Sequence, residues 1–153
     1  IQNYHGEYPL YSSQTVNKGI IGKINTFDYD NKCITWTTDG IHAGTVFLRN
    51  GKFSMTTHCG ALILPKNAIG NISLDFIYSF LRENLKQHAR GEQNKRITVN
   101  MIKNVEILFP INKAGKFNLE AQKETAGKYK KIESIKSAIS LELDKISETN
   151  VDI

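Results

Sequence analysis

Cysteine is scarce in this chain. Cys33 and Cys59 are its two thiols in 153 residues, and their separation fits no metal-binding motif. That pattern reads as a reduced, cytoplasmic protein. No apolar run approaches the roughly 20 residues of a membrane span, and no signal peptide is visible. The first residue is Ile1, not Met, which leads us to expect a piece of a longer polypeptide. Catalytic patterns are missing too. There is no glycine loop ending in Lys-Ser or Lys-Thr to cradle phosphate, and no dinucleotide fingerprint. The four histidines, His5, His42, His58 and His88, have no spacing typical of zinc ligands. The acids are scattered, so no carboxylate pair stands out. We therefore expect no cofactor, no metal and no catalytic residue.

What the chain does have is a long helix pattern at its end. From Phe117 to Ile146 it reads FNLEAQKETAGKYKKIESIKSAISLELDKI. Leu119, Ala126, Tyr129, Ile132, Ile139, Leu143 and Ile146 recur at three-, four- and seven-residue steps, which places them on one helical stripe. At 1.5 Å per residue the helix predicted over 119–146 would be about 42 Å long and would project from a body of this size. Gly127 sits inside it at a cost of ~1 kcal/mol relative to Ala. The stripe needs a partner surface, and Tyr129, Ile132, Ile139, Leu143 and Ile146 are the candidate contacts with a second such helix.

Charge separates the two parts. Residues 119–148 carry six Lys and six acids, whereas the first 118 residues carry fourteen Lys and Arg against eight acids. The basic excess belongs to the body. A neutral helix suits a protein-facing spacer, and a basic body suits phosphate. A solvated basic surface is the plainer alternative.

The body reads as β-rich. Ile20 to Phe27 and Cys33 to Thr38 are β runs joined across Asp28–Lys32, with Asp30-Asn31 as a turn. Thr45–Arg49 and Lys52–Thr56 flank Asn50-Gly51, which predicts a type I′ hairpin. Ala61–Leu64 is a further strand, closed by Pro65. Ser73 is an N-cap candidate with Asp75 in the first turn. Leu74, Ile77, Tyr78, Leu81 and Leu85 then form an apolar face, and Gly91 is the expected stop. Ile97–Val99 and Val105–Phe109 read as short strands before Pro110. The resulting fold class is α+β: a β-rich globular domain with a few helices over residues 1–116, then one long C-terminal helix over 117–148.

Two polar stretches are candidates for binding. Lys86 to Arg96 (KQHARGEQNKR) gathers cations and amides around a helix end. Lys86, Arg90, Lys95 and Arg96 can pair with phosphates, Arg90, Asn94 and the Gln residues can also read base edges, and His88 is a further candidate contact. Tyr11 to Gly19 supplies Ser12, Ser13, Gln14, Asn17 and Lys18. Both stretches also fit solvated loops. Tyr4, Tyr8 and Tyr11 are able to stack on bases, although aromatics near a terminus more often pack on the core. His58 and Cys59 are adjacent, and neighbours on a strand point to opposite faces, so a thiolate–imidazole pair is disfavoured.

Four segments in order carry a family resemblance: YPLYSSQTVNKGIIGKI, TTDGIHAGTVFLRNGKFSMTTHCGALILP, ARGEQNKRITVNMIKNVEILFPI and FNLEAQKETAGKYKKIESIKSAI. From about Gly6 to Ile146 the chain resembles the target recognition domain of type I restriction–modification specificity subunits. The same module occurs in fused type II enzymes. Gln122 matches the Gln that opens the family's spacer helix. The stretch between Pro110 and Leu119 departs from the shorter type I junction and is closer in spacing to the fused form. The resemblance implies a module that recognises one half of a split duplex DNA sequence, with a spacer helix that pairs with another and sets the half-site separation. It implies no catalysis, since methylation and cleavage belong to methyltransferase and restriction subunits or fused domains. The family's base-contacting residues vary with the target, so the resemblance assigns no individual contact. A protein–protein adaptor with a basic surface and a cysteine-dependent enzyme are the remaining alternatives.

Overall fold

A strand buried along its whole length organises the body. The computed structural model describes residues 5–149. Within it β4 (Cys33–Thr37) is buried at all five positions, because it is covered on both faces. β4 is the centre of a three-stranded antiparallel sheet, between β5 (Val46–Arg49) and β7 (Cys59–Leu62). A second, four-stranded sheet has the order β2 (Ile20–Ile24), β1 (Tyr8–Tyr11), β6 (Lys52–Met55), β3 (Tyr29–Asp30). Here β1 pairs antiparallel with β2 and parallel with β6.

Ile34 and Trp36 of β4 join the main core, together with Leu74, Ile77, Leu81 and Leu85 of the helical segment that follows the strands. The Trp36 indole donates to the Ile97 carbonyl at 3.2 Å, so the buried N–H is satisfied. Gly60 on β7 lies under this ring. A Cβ there would stand 2.1 Å from Trp36 Cζ2, so the close approach requires glycine.

The predicted helix starts where expected. In α1 (Leu74–Asn84) Ser73 is the N-cap and its hydroxyl accepts from the Phe76 amide. The helix runs on through a 3-10 turn, Leu85–His88. It therefore stops before Arg90, and Gly91 lies in the loop beyond instead of capping it.

Three local expectations are corrected. The strands flanking Asn50-Gly51 do not form a hairpin: β5 pairs with β4, and β6 pairs with β1 and β3. Gly51 has φ +90, while Asn50 is not among the described non-glycine residues with positive φ. A type I′ turn needs both, so this turn carries the chain from one sheet to the other. The runs joined across Asp28–Lys32 also separate: β2 and β4 lie in different sheets, and Asp30 belongs to β3. Finally, neither Ile97–Val99 nor Val105–Phe109 is a strand. Thr98 caps a short helix, α2 (Val99–Ile102), accepting from the Met101 amide. The apolar residues Val105, Ile107 and Phe109 pack against the core from irregular backbone. A short apolar run satisfies a core without a ladder partner, which periodicity cannot distinguish.

α3 (Leu119–Thr149) is one helix of 31 residues. The junction before it closes on itself: Ile111 bridges Phe117, and the Asn118 amide donates to the Pro110 carbonyl at 2.8 Å. Asn118 Oδ1 then accepts from the Ala121 amide. Gln122 and Ala126 are the buried residues of α3. Gln122 contacts Ser73 at the start of α1, and Glu133 pairs with Arg82 near its end, so the two helices run parallel. From Ser134 onward every described residue is exposed, a projection of roughly 24 Å. Among the described residues no helix is long and apolar enough to cross a membrane.

Candidate nucleic-acid interface

Strand direction gathers the polar loops at one end of the body. β1 and β6 run parallel with Tyr11 opposite Met55, so the loop after β1 and the turn after β6 emerge side by side. β4 and β7 pair Thr37 with Cys59, which brings the β4–β5 loop to the same edge. Side chains then link these segments in a row. Ser12 Oγ lies 3.0 Å from Thr56 Oγ1, and Thr56 Oγ1 accepts from the His58 amide at 3.4 Å. The His58 ring is 3.3 Å from Asp39 Oδ2, and Asp39 Oδ1 accepts from Arg96 Nε at 2.7 Å. The two predicted binding stretches thus belong to one network.

The first stretch is tightly folded. The Ser12 amide donates to the Gly19 carbonyl at 2.9 Å, and the Gln14 side-chain amide donates to the Ile20 carbonyl. Asn17 (φ 50) and Lys18 (φ 53) are the described non-glycine residues with positive φ. Such conformations cost of order 1–3 kcal/mol each and cluster at ligand-binding segments. Gln14, Asn17 and Lys18 are exposed, and Ser12 and Ser13 are half-buried.

The second stretch is a clamped loop. Arg90 and Arg96 exchange backbone hydrogen bonds of 2.9 and 2.7 Å, closing residues 91–95 into a loop. The Gly40 amide donates to the Lys95 carbonyl at 2.9 Å. Asp39 fixes the loop electrostatically. Its carboxyl is held below the usual range, first by the Thr38 hydroxyl and further by Arg96 and His58. Arg90 turns back, its Nη1 donating to the Gln87 carbonyl at 3.1 Å. Arg90 and Arg96 therefore build the loop with part of their donor set. Lys86, Asn94 and Lys95 are exposed, and His88 is half-buried.

Lys18 and Lys86, far apart in sequence, line one cleft along β5 together with Arg49. Asp39, Thr56, His58 and Arg49 were not singled out as interface residues from sequence. Asp39 and His58 sit in the segment TTDGIHAGTVFLRNGKFSMTTHCGALILP, whereas nothing local in the sequence marks Arg49, whose burial against Tyr11 and Phe47 only the fold creates. Tyr8 and Tyr11 are half-buried against other rings: Tyr8 meets the exposed Phe27 edge-on at 5.0 Å, and Tyr11 meets the buried Phe53 at 5.5 Å. Tyr4 lies outside the described residues.

Burial pushes the Cys59 thiol up to about 11, against the pull of Arg49. It is protonated at neutral pH, the opposite of what a nucleophile needs. On α3, Tyr129, Ile132, Ile139, Leu143 and Ile146 are all exposed, as are Ile135 and Leu141, so the apolar stripe is open and wider than predicted.

Residues 2–148 match the family model described as Type I restriction modification DNA specificity domain. Among curated proteins, the chain is 36% identical over 145 residues to a candidate type I specificity subunit of Mycoplasma pneumoniae, covering 95% of this chain and 37% of that one. A second candidate subunit from the same organism is 41% identical over 106 residues, 69% of this chain and 34% of its own. The specificity subunit of a named type I restriction enzyme there is 46% identical over 77 residues, 50% of this chain and 23% of that one. The chain spans about a third of the length of the first two relatives. The crystal structure of a type I restriction–modification system S subunit from M. genitalium has the same fold, with a TM-score of 0.61 at 21% identity, covering 90% of this chain and 35% of that one.

Proposed function

The chain belongs to the type I restriction modification DNA specificity domain family, and from that premise we propose that it recognises one half of a bipartite duplex DNA sequence for a restriction–modification system. The observation that carries this reading is the meeting of two basic, polar loops at one end of the body, linked through Thr56, His58 and Asp39. Exposed Lys18, Lys86 and Lys95 pair with backbone phosphates and set the register. Gln14, Asn94 and the free donors of Arg90 read base edges, since amides and guanidinium offer bidentate hydrogen bonds. Ser12, Ser13, Asn17, His88 and Arg96 complete the contact surface.

The module is non-catalytic and works in the cytoplasm. Methylation and cleavage fall to methyltransferase and restriction subunits. Residues 1–116 form the recognition domain. Residues 117–148 form a spacer whose open apolar stripe pairs with a second spacer helix, from another copy or from a repeat in the same polypeptide.

Selection of bound duplexes from a random pool tests the reading. A short enriched motif is expected with the chain, and Asn94→Ala should relax one or two of its positions at a cost of roughly 1–3 kcal/mol on the enriched sequence. Recovery of random sequence by the chain in a complete assembly would refute base recognition.

A further inference from the structure

Arg49 is a cation in an unusual place. It is 5% exposed, and none of the ion pairs among the described residues includes it. Its Nε donates to Thr35 Oγ1 at 3.0 Å. Its guanidinium carbon lies 3.5 Å from the Tyr11 ring centroid and 4.4 Å from that of Phe47. The rings and the threonine fix the fork without neutralising it, and a buried charge ordinarily has a counter-charge.

That counter-charge has a place to come from. Arg49 lines a cleft of about 530 Å³ between β5 and α1, with Lys18, Lys86, Arg82, Glu83 and Glu133 around it. Arg82 and Glu133 pair with each other. Lys18, Arg49 and Lys86 are left against Glu83 alone. Lys18 is presented by the left-handed turn, and Arg49 Nη2 lies 3.4 Å from where a Gly19 side-chain carbon would stand. A rigid guanidinium fork and two flexible lysine ammoniums form a donor set suited to phosphate oxygens.

We propose that this cleft binds one phosphate group, held by the Arg49 fork and Lys18, with Lys86 at the rim. Its source rests on the function proposed above: a phosphodiester of the DNA backbone alongside the loop-bearing end. The contact fixes the register of the protein on the duplex and carries no base preference.

The test replaces the backbone phosphates of a bound duplex one at a time with neutral methylphosphonate. With the wild-type chain one position should weaken binding about tenfold, the scale of a charge-assisted hydrogen bond. Arg49→Met and Lys18→Gln should each weaken binding by a similar factor, make that position indifferent, and reduce the salt slope by about 0.9. If Arg49→Met fails to fold, Lys18→Gln decides, because Lys18 is exposed. Should wild type bind while every phosphate keeps its effect in the variants, the cleft assignment is overturned and the DNA reading stands. A second arm titrates inorganic phosphate at fixed ionic strength and follows thermal unfolding. If wild type binds no duplex yet is stabilised by phosphate, and Lys18→Gln is not, the site stands with a free phosphate as its source and the DNA reading falls. Absence of both effects overturns the two together.

Discussion

Gln122, fully buried on α3, accepts the backbone amide hydrogen of Ser73 through its side-chain oxygen at 2.8 Å. Its side-chain nitrogen donates to the Asn71 carbonyl at 3.1 Å. One amide thus satisfies two backbone groups beside the N-terminus of α1 and welds the long helix to the body. Gln122→Ala would orphan both groups in a dry site, at roughly 1–3 kcal/mol for each buried group left without a partner. Thermal unfolding should show a midpoint lowered by several degrees. Gln122→Glu keeps the acceptor for Ser73 but sets a buried carboxylate against the Asn71 carbonyl, so its midpoint should fall below wild type, and further at neutral pH than in acid, where the protonated acid can donate. An unchanged midpoint in Gln122→Ala would remove the weld from the account.

Asp39 holds the second binding loop through Arg96 and His58, and its depressed carboxyl makes this clamp sensitive to acid. The sign follows from linkage. A carboxyl whose folded pKa lies below its unfolded value contributes stability that is complete above the unfolded value, about 3.9. That stability is lost as pH falls through the folded value. Asp39→Asn should therefore lower stability at neutral pH and flatten the loss below about pH 4. Chemical denaturation across pH 2–7 checks it; parallel curves for the two proteins would contradict it.

Sequence pattern revealed the pieces governed by local rules. The 3.6-residue period exposed α3 because Ala126, Tyr129, Ile132 and Ile139 fall on one face. Ser73 announced α1 because its hydroxyl caps the chain just ahead. Pairing was hidden, because β5 and β6 choose partners in different sheets and nothing within Thr45–Thr56 encodes that choice. The Asn50-Gly51 signal was strong, yet sheet packing overrode it. The same limit applies to the interface. Both loops were visible by composition, but the row from Ser12 through Thr56, His58 and Asp39 to Arg96 joins residues up to 84 positions apart. Arg49 was hidden for the same reason, since its meaning depends on Tyr11 and Lys18 across the sheet boundary.

The stripe on α3 leads to an expected assembly. Ile132, Ile135, Ile139, Leu143 and Ile146 are each about half exposed, and from Ser134 onward every described residue of the helix is exposed. The chain should self-associate at concentrations near 100 µM, a weak-interface scale, and Ile139→Asp should return it to monomer without lowering its unfolding midpoint. Sedimentation equilibrium measures this. A monomer at that concentration would show that the stripe needs a different partner.

The central claim is that the loop-bearing end of the body meets duplex DNA. Lys18, Lys86 and Lys95 test it best, because all three are exposed and none takes part in an ion pair among the described residues, so their loss should spare the fold. The measurement is equilibrium binding to duplex DNA across salt concentration, for the chain and for Lys18/Lys86/Lys95→Ala. We predict a linear fall of log affinity with log salt, with a slope smaller in the variant by about 0.9 for each phosphate contact removed. Equal affinity and equal slope for a folded variant would contradict the account and leave the basic excess as solvated surface.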